Sequence, residues 1–210
     1  MDGAARRERL ACSRLYLVLE ARPHGRDPEP LLEAALRGGV DVVQLRDKQL
    51  ADDELVAAAA AFRRACARHG VLFVLNDRPD LVVACGADGV HVGGEDAPLA
   101  EARKGVGPER IVGLSASTPA ELRGDPDYFG VGAIFGTPTK PESPPGGLEL
   151  VRVARDTLRV PWFAIGGIEP ENVAEVVAAG AWGIAVVRAI RDAGDPEAAA
   201  RALRAAFEHR

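Results

Sequence analysis

Cysteine is scarce and odd in number. The three thiols, Cys12, Cys66 and Cys85, share no C-x-x-C spacing, which argues against a disulfide framework or a thiolate zinc site. Cys66 and Cys85 fall in apolar helical stretches and read as small buried hydrophobes. Aromatic residues make up only 5% of a chain that is 47% hydrophobic, so the core has to come from Val, Ile, Leu and Ala. Positive charge is not in excess. With 26 Lys and Arg against 31 Asp and Glu the net charge is −5, which argues against a nucleic-acid surface. No apolar run reaches membrane length, and residues 1–13 are too charged for the apolar region of a signal peptide. These absences predict a cytoplasmic protein without nucleic-acid or membrane partners. No linker or low-complexity run interrupts the chain between Leu15 and Phe207. The expectation is a flexible N-terminal segment, residues 1–13, ahead of one catalytic domain, residues 14–210.

What is present is a rhythm. Seven times an apolar, largely β-branched run ends at a polar or glycine cluster: Gln44-Leu45-Arg46-Asp47-Lys48, Asn76-Asp77, Gly93-Gly94-Glu95-Asp96, Ser115, Gly136-Thr137-Pro138-Thr139-Lys140, Gly166-Gly167 and Arg188. With the run from Arg14 to Leu19 the strands number eight. Strands that alternate with helices and carry polar chemistry at one end describe an α/β fold, a single (β/α)8 TIM barrel with its site at the C-terminal mouth. A 210-residue chain lies near the small end of the range for this barrel.

The intervening segments carry helix punctuation. Glu29 to Arg37 stops at Gly38-Gly39, and Asp52 to His69 opens on three acids and closes at Gly70. Pro79 starts a short third helix, Glu169 to Asn172 open the seventh, and Pro196 starts the last. Only Thr118 to Arg123 is free for a helix in the fifth crossover. Residues 136–147 form a 12-residue loop with four prolines, the length of an active-site lid.

At the mouth, Arg46, Lys48 and Lys140 make a cationic rim beside two carboxylates, Asp77 and Asp96. Two carboxylates that leave coordination positions for water and phosphate suit Mg2+, and cations beside such a site suit a diphosphate. Any one of these charges could be a solvated surface group; five together at strand ends favour a site. On the other side, Gly166-Gly167 and Val187-Arg188 stand where barrels commonly bind a phosphate, although the glycine pair alone could equally be a tight turn. Two phosphorylated small molecules meeting in one mouth suggest a transferase. His91, inside the fourth strand, reads as a packing histidine, and Trp162 and Trp182 as packing residues against helices. Glu95 reads as a group that orients its neighbours.

The same residues, in order, resemble the thiamine phosphate synthase family over Leu15 to Ile190. Gln44-Leu45-Arg46-Asp47-Lys48 is similar to that family's Q-x-R-x-K. Asn76-Asp77, His91 to Asp96, Gly113-Leu114-Ser115, Thr137 to Lys140 and Ala164 to Ile168 match its further signatures. The resemblance implies a reaction in which an aminopyrimidine methyl diphosphate joins a thiazole phosphate and pyrophosphate leaves. It implies Mg2+ on Asp77 and Asp96, and the diphosphate on Arg46, Lys48, Asn76 and Lys140. Gln44 and Ser115 would address the pyrimidine, and Thr137, Pro138, Thr139, Gly167, Val187 and Arg188 the thiazole phosphate. Ser115, Lys140 and Arg46 would be the catalytic residues.

Several positions depart from the pattern. Gly94 stands for Gln, Ser117 for His, Ala133 and Gly136 for prolines, and Arg188 for Ser. A thiazole tautomerase relative shares the barrel but relies on a His at the position of Ser117 and lacks the full diphosphate set. A non-catalytic regulatory barrel would have little use for Asp77, Asp96 and Lys140, and a phosphosugar epimerase would need a base at the strand ends. The sequence leaves homo-oligomer formation open.

Overall fold

The computed structural model describes residues 1–94, 96–136 and 145–208. Its strands are β1 (Leu15–Leu19), β2 (Val42–Leu45), β3 (Leu72–Asn76), β4 (Gly89–Val92), β5 (Ile111–Ala116), β6 (Tyr128–Val131), β7 (Trp162–Ile165) and β8 (Gly183–Val186). They close in sequence order into one parallel barrel, β8 pairing back onto β1 through Tyr16 and Ala185. The expected TIM barrel is present.

The helices are α1 (Gly3–Cys12), α2 (Glu29–Arg37), α3 (Asp52–His69), α4 (Val82–Cys85), α5 (Leu99–Val106), α6 (Gly147–Thr157), α7 (Val173–Ala178), α8 (Arg188–Arg191) and α9 (Pro196–Ala205). α2 and α3 have the bounds their punctuation predicts. α3 ends at Gly70, whose φ of 66° is the left-handed conformation that glycine adopts without a Cβ penalty. The fifth crossover contains a single 3-10 turn, Pro119–Glu121.

Alternation along each strand decides what points where. Leu15, Leu17 and Leu19 face the helices, while Tyr16 and Val18 face the barrel axis; in β2, Val43 and Leu45 face out while Val42 packs inside. Both sides of the sheet are buried, so the strands read as continuous apolar runs.

Residues 1–13 are not a flexible segment. Asp2 caps α1 by accepting from the Ala5 N–H at 2.9 Å, and Leu10 is 1% exposed, packed with Val42, Leu72 and Ile111 at the N-terminal end of the barrel. Arg6 pairs with Asp88 at 2.9 Å and Arg7 with Asp127 at 2.7 Å. The charges that suggested a solvated leader are its docking contacts.

β6 also ends early, at Val131. Beyond it Ile134 N donates to Ile165 O and Phe135 N to Gly166 O, so the chain follows the end of β7. The long loop returns to its own start, where Gly146 N donates to Ala133 O and Gly147 N to Ile134 O. The lid expected between them falls largely on residues 137–144, outside the described residues. Cys12, Cys66 and Cys85 are free, the last two buried, and no helix among the described residues is long and apolar enough to cross a membrane.

Candidate active site

An open cavity of about 160 Å3 lies at the C-terminal mouth. Every predicted site residue that the structure describes lines it: Gln44, Arg46 and Lys48 from β2 and its loop, Asn76 and Asp77 after β3, Asp96 after β4, Ser115 on β5, Gly167 after β7, and Val187 and Arg188 after β8. Thr137, Pro138, Thr139 and Lys140, with Glu95, lie outside the described residues.

Asp77 is placed by a left-handed backbone, φ 61°, at the sharp exit from β3, a conformation that Asp and Asn tolerate better than most residues. Its N–H donates to His91 O at 2.8 Å. Asp96 curls back so that its Oδ2 accepts from the Gly93 N–H at 2.8 Å; a Cβ at Gly93 would lie 2.8 Å from that same oxygen, so the turn needs glycine. The carboxyls come within hydrogen-bond reach of each other. Lys48 Nζ lies between them, 2.8 Å from Asp77 Oδ2 and 3.7 Å from Asp96 Oδ1.

Burial and then the neighbouring Asp96 raise the Asp77 carboxyl above the usual aspartate range. Partial burial works the same way on Asp96. It is outweighed by hydrogen bonds to Asp77, Gly93 and Lys48, so Asp96 lies below that range. Hydrogen bonding to Asp77 raises the Lys48 ammonium. The pair thus attracts a cation through oxygen ligands. Among the described residues no group of three or more His, Cys, Asp or Glu could hold a metal, so two carboxylates are what these residues offer. Arg46 makes no ion pair among the described residues.

The floor holds residues that the sequence reading passed over. His91 is not a mere packing residue: its Nε2 lies 2.9 Å from Ser115 Oγ and its Nδ1 3.1 Å from Tyr128 Oη, and its ring lines the cavity. Tyr16, Tyr128 and Phe163 form an aromatic cluster below it, with ring centroids 5.2–5.9 Å apart. Burial pushes both phenols far up, so they stay protonated hydroxyls. The missed signal was alternation. Val90 and Val92 belong to the outer layer, so the residue between them has to face the axis.

On the far side Gly166 and Gly167 have φ of 103° and 64°, and a Cβ on either would come within 2.7 Å of Ala133 or Phe135. Arg188 opens α8, and its guanidinium lies 3.8 Å from Glu169 at the rim.

Residues 15–190 match the family model described as thiamine monophosphate synthase. The chain belongs to that family. It is 48% identical to the thiamine-phosphate synthase of Gloeobacter violaceus over 92% of its own length and 57% of that longer protein. To the thiamine-phosphate synthase of Thermobifida fusca it is 46% identical over 94% of each chain. A solved thiamine phosphate pyrophosphorylase from Pyrococcus furiosus superposes with a TM-score of 0.86 at 31% identity, covering 97% of this chain and 98% of that one. Membership of the thiamine monophosphate synthase family makes the chain a transferase of thiamine biosynthesis.

Proposed function

We propose that the chain joins 4-amino-2-methyl-5-(diphosphomethyl)pyrimidine to thiazole phosphate, giving thiamine phosphate and pyrophosphate. The observation that carries this is the convergence of Gln44, Arg46, Lys48, Asn76, Asp77, Asp96, Ser115, Gly167, Val187 and Arg188 on one cavity. In this reading Gln44 and Ser115 meet the pyrimidine ring at the floor, and Arg46, Lys48 and Asn76, with Lys140, take the diphosphate. Thr137, Pro138, Thr139, Gly167, Val187 and Arg188 take the thiazole phosphate. Arg46, Lys140 and Ser115 are the catalytic residues.

The paired carboxylates, already facing the Lys48 ammonium, fit a hard cation. Mg2+ held by Asp77 and Asp96 would supply electrostatic relief of the charge growing on the departing pyrophosphate. Arg46 and Lys48 act in the same direction, since preorganised cations stabilise charge that develops in the transition state. The bond from methylene carbon to diphosphate oxygen breaks with its electron pair going to pyrophosphate. The thiazole nitrogen then gives its lone pair to the methylene carbon, so no general base is required. Tyr128, Phe163, Ile165 and Ala185 line the cavity with apolar surface that keeps water from intercepting the cation.

Ser117 lines the cavity where the tautomerase reading needs a histidine, which favours the synthase. The free thiols accord with a cytoplasmic location. Incubating the protein with both substrates, with Mg2+ and with the metal chelated, tests the proposal. Thiamine phosphate is expected with the metal. No product under either condition would remove the assignment.

A further inference from the structure

A single file of hydrogen bonds crosses the barrel beneath the cavity. Gln44 Nε2 lies 2.9 Å from Tyr16 Oη, which lies 2.9 Å from Tyr128 Oη. Tyr128 Oη is 3.1 Å from His91 Nδ1, and His91 Nε2 is 2.9 Å from Ser115 Oγ. The five residues come from β2, β1, β6, β4 and β5. Two glycines make room for the middle of the file. A Cβ at Gly113 would lie 2.1 Å from the Tyr128 ring and 2.5 Å from His91 Nδ1, and one at Gly130 would lie 3.1 Å from His91 Cε1.

Each interior member has one proton to give, because a hydroxyl carries one and a neutral imidazole carries one. The bonds must therefore all point the same way. With the Gln44 amide nitrogen donating to Tyr16, Tyr16 donates to Tyr128, Tyr128 to His91 Nδ1, and His91 Nε2–H to Ser115. The serine hydroxyl proton is then left for the cavity, and Gln44 has its carbonyl oxygen to offer. Turning the Gln44 amide reverses every bond: Gln44 offers its NH2 and Ser115 its lone pairs. The two ends are tied to opposite characters in either direction.

We propose that Tyr16, Tyr128 and His91 are positioning residues that couple Gln44 to Ser115, so that the cavity floor selects a heterocycle edge carrying a donor beside an acceptor. The inference rests on the reading of Gln44 and Ser115 as the pyrimidine-facing pair. The exocyclic amine of an aminopyrimidine and its adjacent ring nitrogen make such an edge. An edge with two acceptors leaves one end of the file facing a group it cannot bond, and an unpaired buried polar group is costly.

The direction of the file is written in the His91 tautomer, which 15N NMR of the imidazole reads in the ligand-free protein. At about pH 9 an ordinary carboxyl is ionised and an imidazole neutral. A carboxylate only accepts, so in Gln44→Glu Tyr16 must donate to residue 44, Tyr128 to Tyr16, and His91 Nδ1–H to Tyr128. The expected result is a His91 that carries its proton on Nε2 in the wild type and on Nδ1 in Gln44→Glu. Adding Tyr128→Phe, which keeps the ring and removes the hydroxyl, should abolish the response. An unchanged tautomer in Gln44→Glu, or the same change with Tyr128→Phe present, overturns the coupling.

Calorimetry with 4-amino-5-hydroxymethyl-2-methylpyrimidine, which lacks the diphosphate, reads the recognition. Tyr128→Phe should weaken it about tenfold, equivalent to 1.4 kcal/mol, and leave pyrophosphate affinity within twofold. Equal affinity for the pyrimidine in both proteins overturns the recognition claim. A wild type with the tautomer response but no affinity for the pyrimidine contradicts the functional reading. Binding without the response contradicts the coupling alone.

Discussion

Asp77 shows at single-residue scale how this site trades stability for function. Its carboxyl is raised in the folded protein, so folding favours its protonated form. The stability this contributes is present in acid and is lost as pH rises through the unfolded and then the folded pKa. At neutral pH, without metal, Asp77→Asn should therefore leave the melting temperature unchanged or higher, and the advantage should vanish on acidification. Asparagine also suits the φ of 61° there. Synthesis of thiamine phosphate by the same variant should fall by roughly 10²-fold or more, the scale for losing a key electrostatic stabiliser. Thermal scans across pH beside rate measurements check both halves, and a marked loss of melting temperature at neutral pH would show that the Lys48 pair outweighs carboxylate repulsion.

Arg188 is the other informative position. Its side chain lies at the rim near Glu169, so Arg188→Ser should weaken thiazole phosphate by less than about tenfold, or 1.4 kcal/mol. The diphosphate KM should hardly move. A loss of several hundredfold in a binding titration would make the guanidinium the main phosphate ligand. The charged site residues were legible because an Asp or Lys directly after an apolar run has few reasons to be there. His91 was not, because one histidine in a strand looks like packing until its neighbours fix the face it shares with Ser115.

Among the elements, β2, β4 and β6 share a device at their N-terminal ends. Asp41, Asp88 and Asp127 each stand one residue before a strand and accept from the backbone N–H of Leu15, Phe73 and Val112 respectively. Each also donates its own N–H to the carbonyl of that same residue, which fixes the stagger of neighbouring strands. Asp127 in addition pairs with Arg7 and Arg103, and its side chain is 11% exposed. Asp127→Ala should cost about 2–3 kcal/mol, the range for stranding buried hydrogen-bond partners. The exposed Glu149–Arg152 pair should contribute no more than about 0.5 kcal/mol. Urea unfolding of both variants makes the comparison, and equal costs would deny the aspartates this role.

Leu10→Ala should cost about 2–4 kcal/mol, because a fully enclosed leucine leaves a cavity when truncated. A shift below about 0.5 kcal/mol would return residues 1–13 to the status of a loose segment. Helices with strong punctuation, Glu29–Arg37 and Asp52–His69, were legible to the residue. α1 was not, because its stability comes from Asp88, Asp127 and the barrel floor, partners distant in sequence.

At the scale of the whole molecule, a chain of net charge −5 gathers Arg46 and Lys48 beside Asp77 and Asp96 at one end of the barrel. Barrel closure does this: parallel strands deliver every strand end to the same rim, so residues from position 44 to position 188 share one cavity. That topology was legible because strands buried on both faces write themselves as unbroken apolar runs. The aromatic floor was not, since its residues sit in three strands and meet only across the axis. The central claim is that this rim ionises a diphosphate with the help of the Asp77–Asp96 pair. The most direct measurement follows pyrophosphate and thiamine phosphate together in the wild type and in Asp96→Ala, with both substrates and Mg2+ saturating. The account predicts one product molecule per pyrophosphate in the wild type and a rate at least about 10²-fold lower in the variant. Pyrophosphate release at the wild-type rate in Asp96→Ala, or none from the wild type, would contradict it.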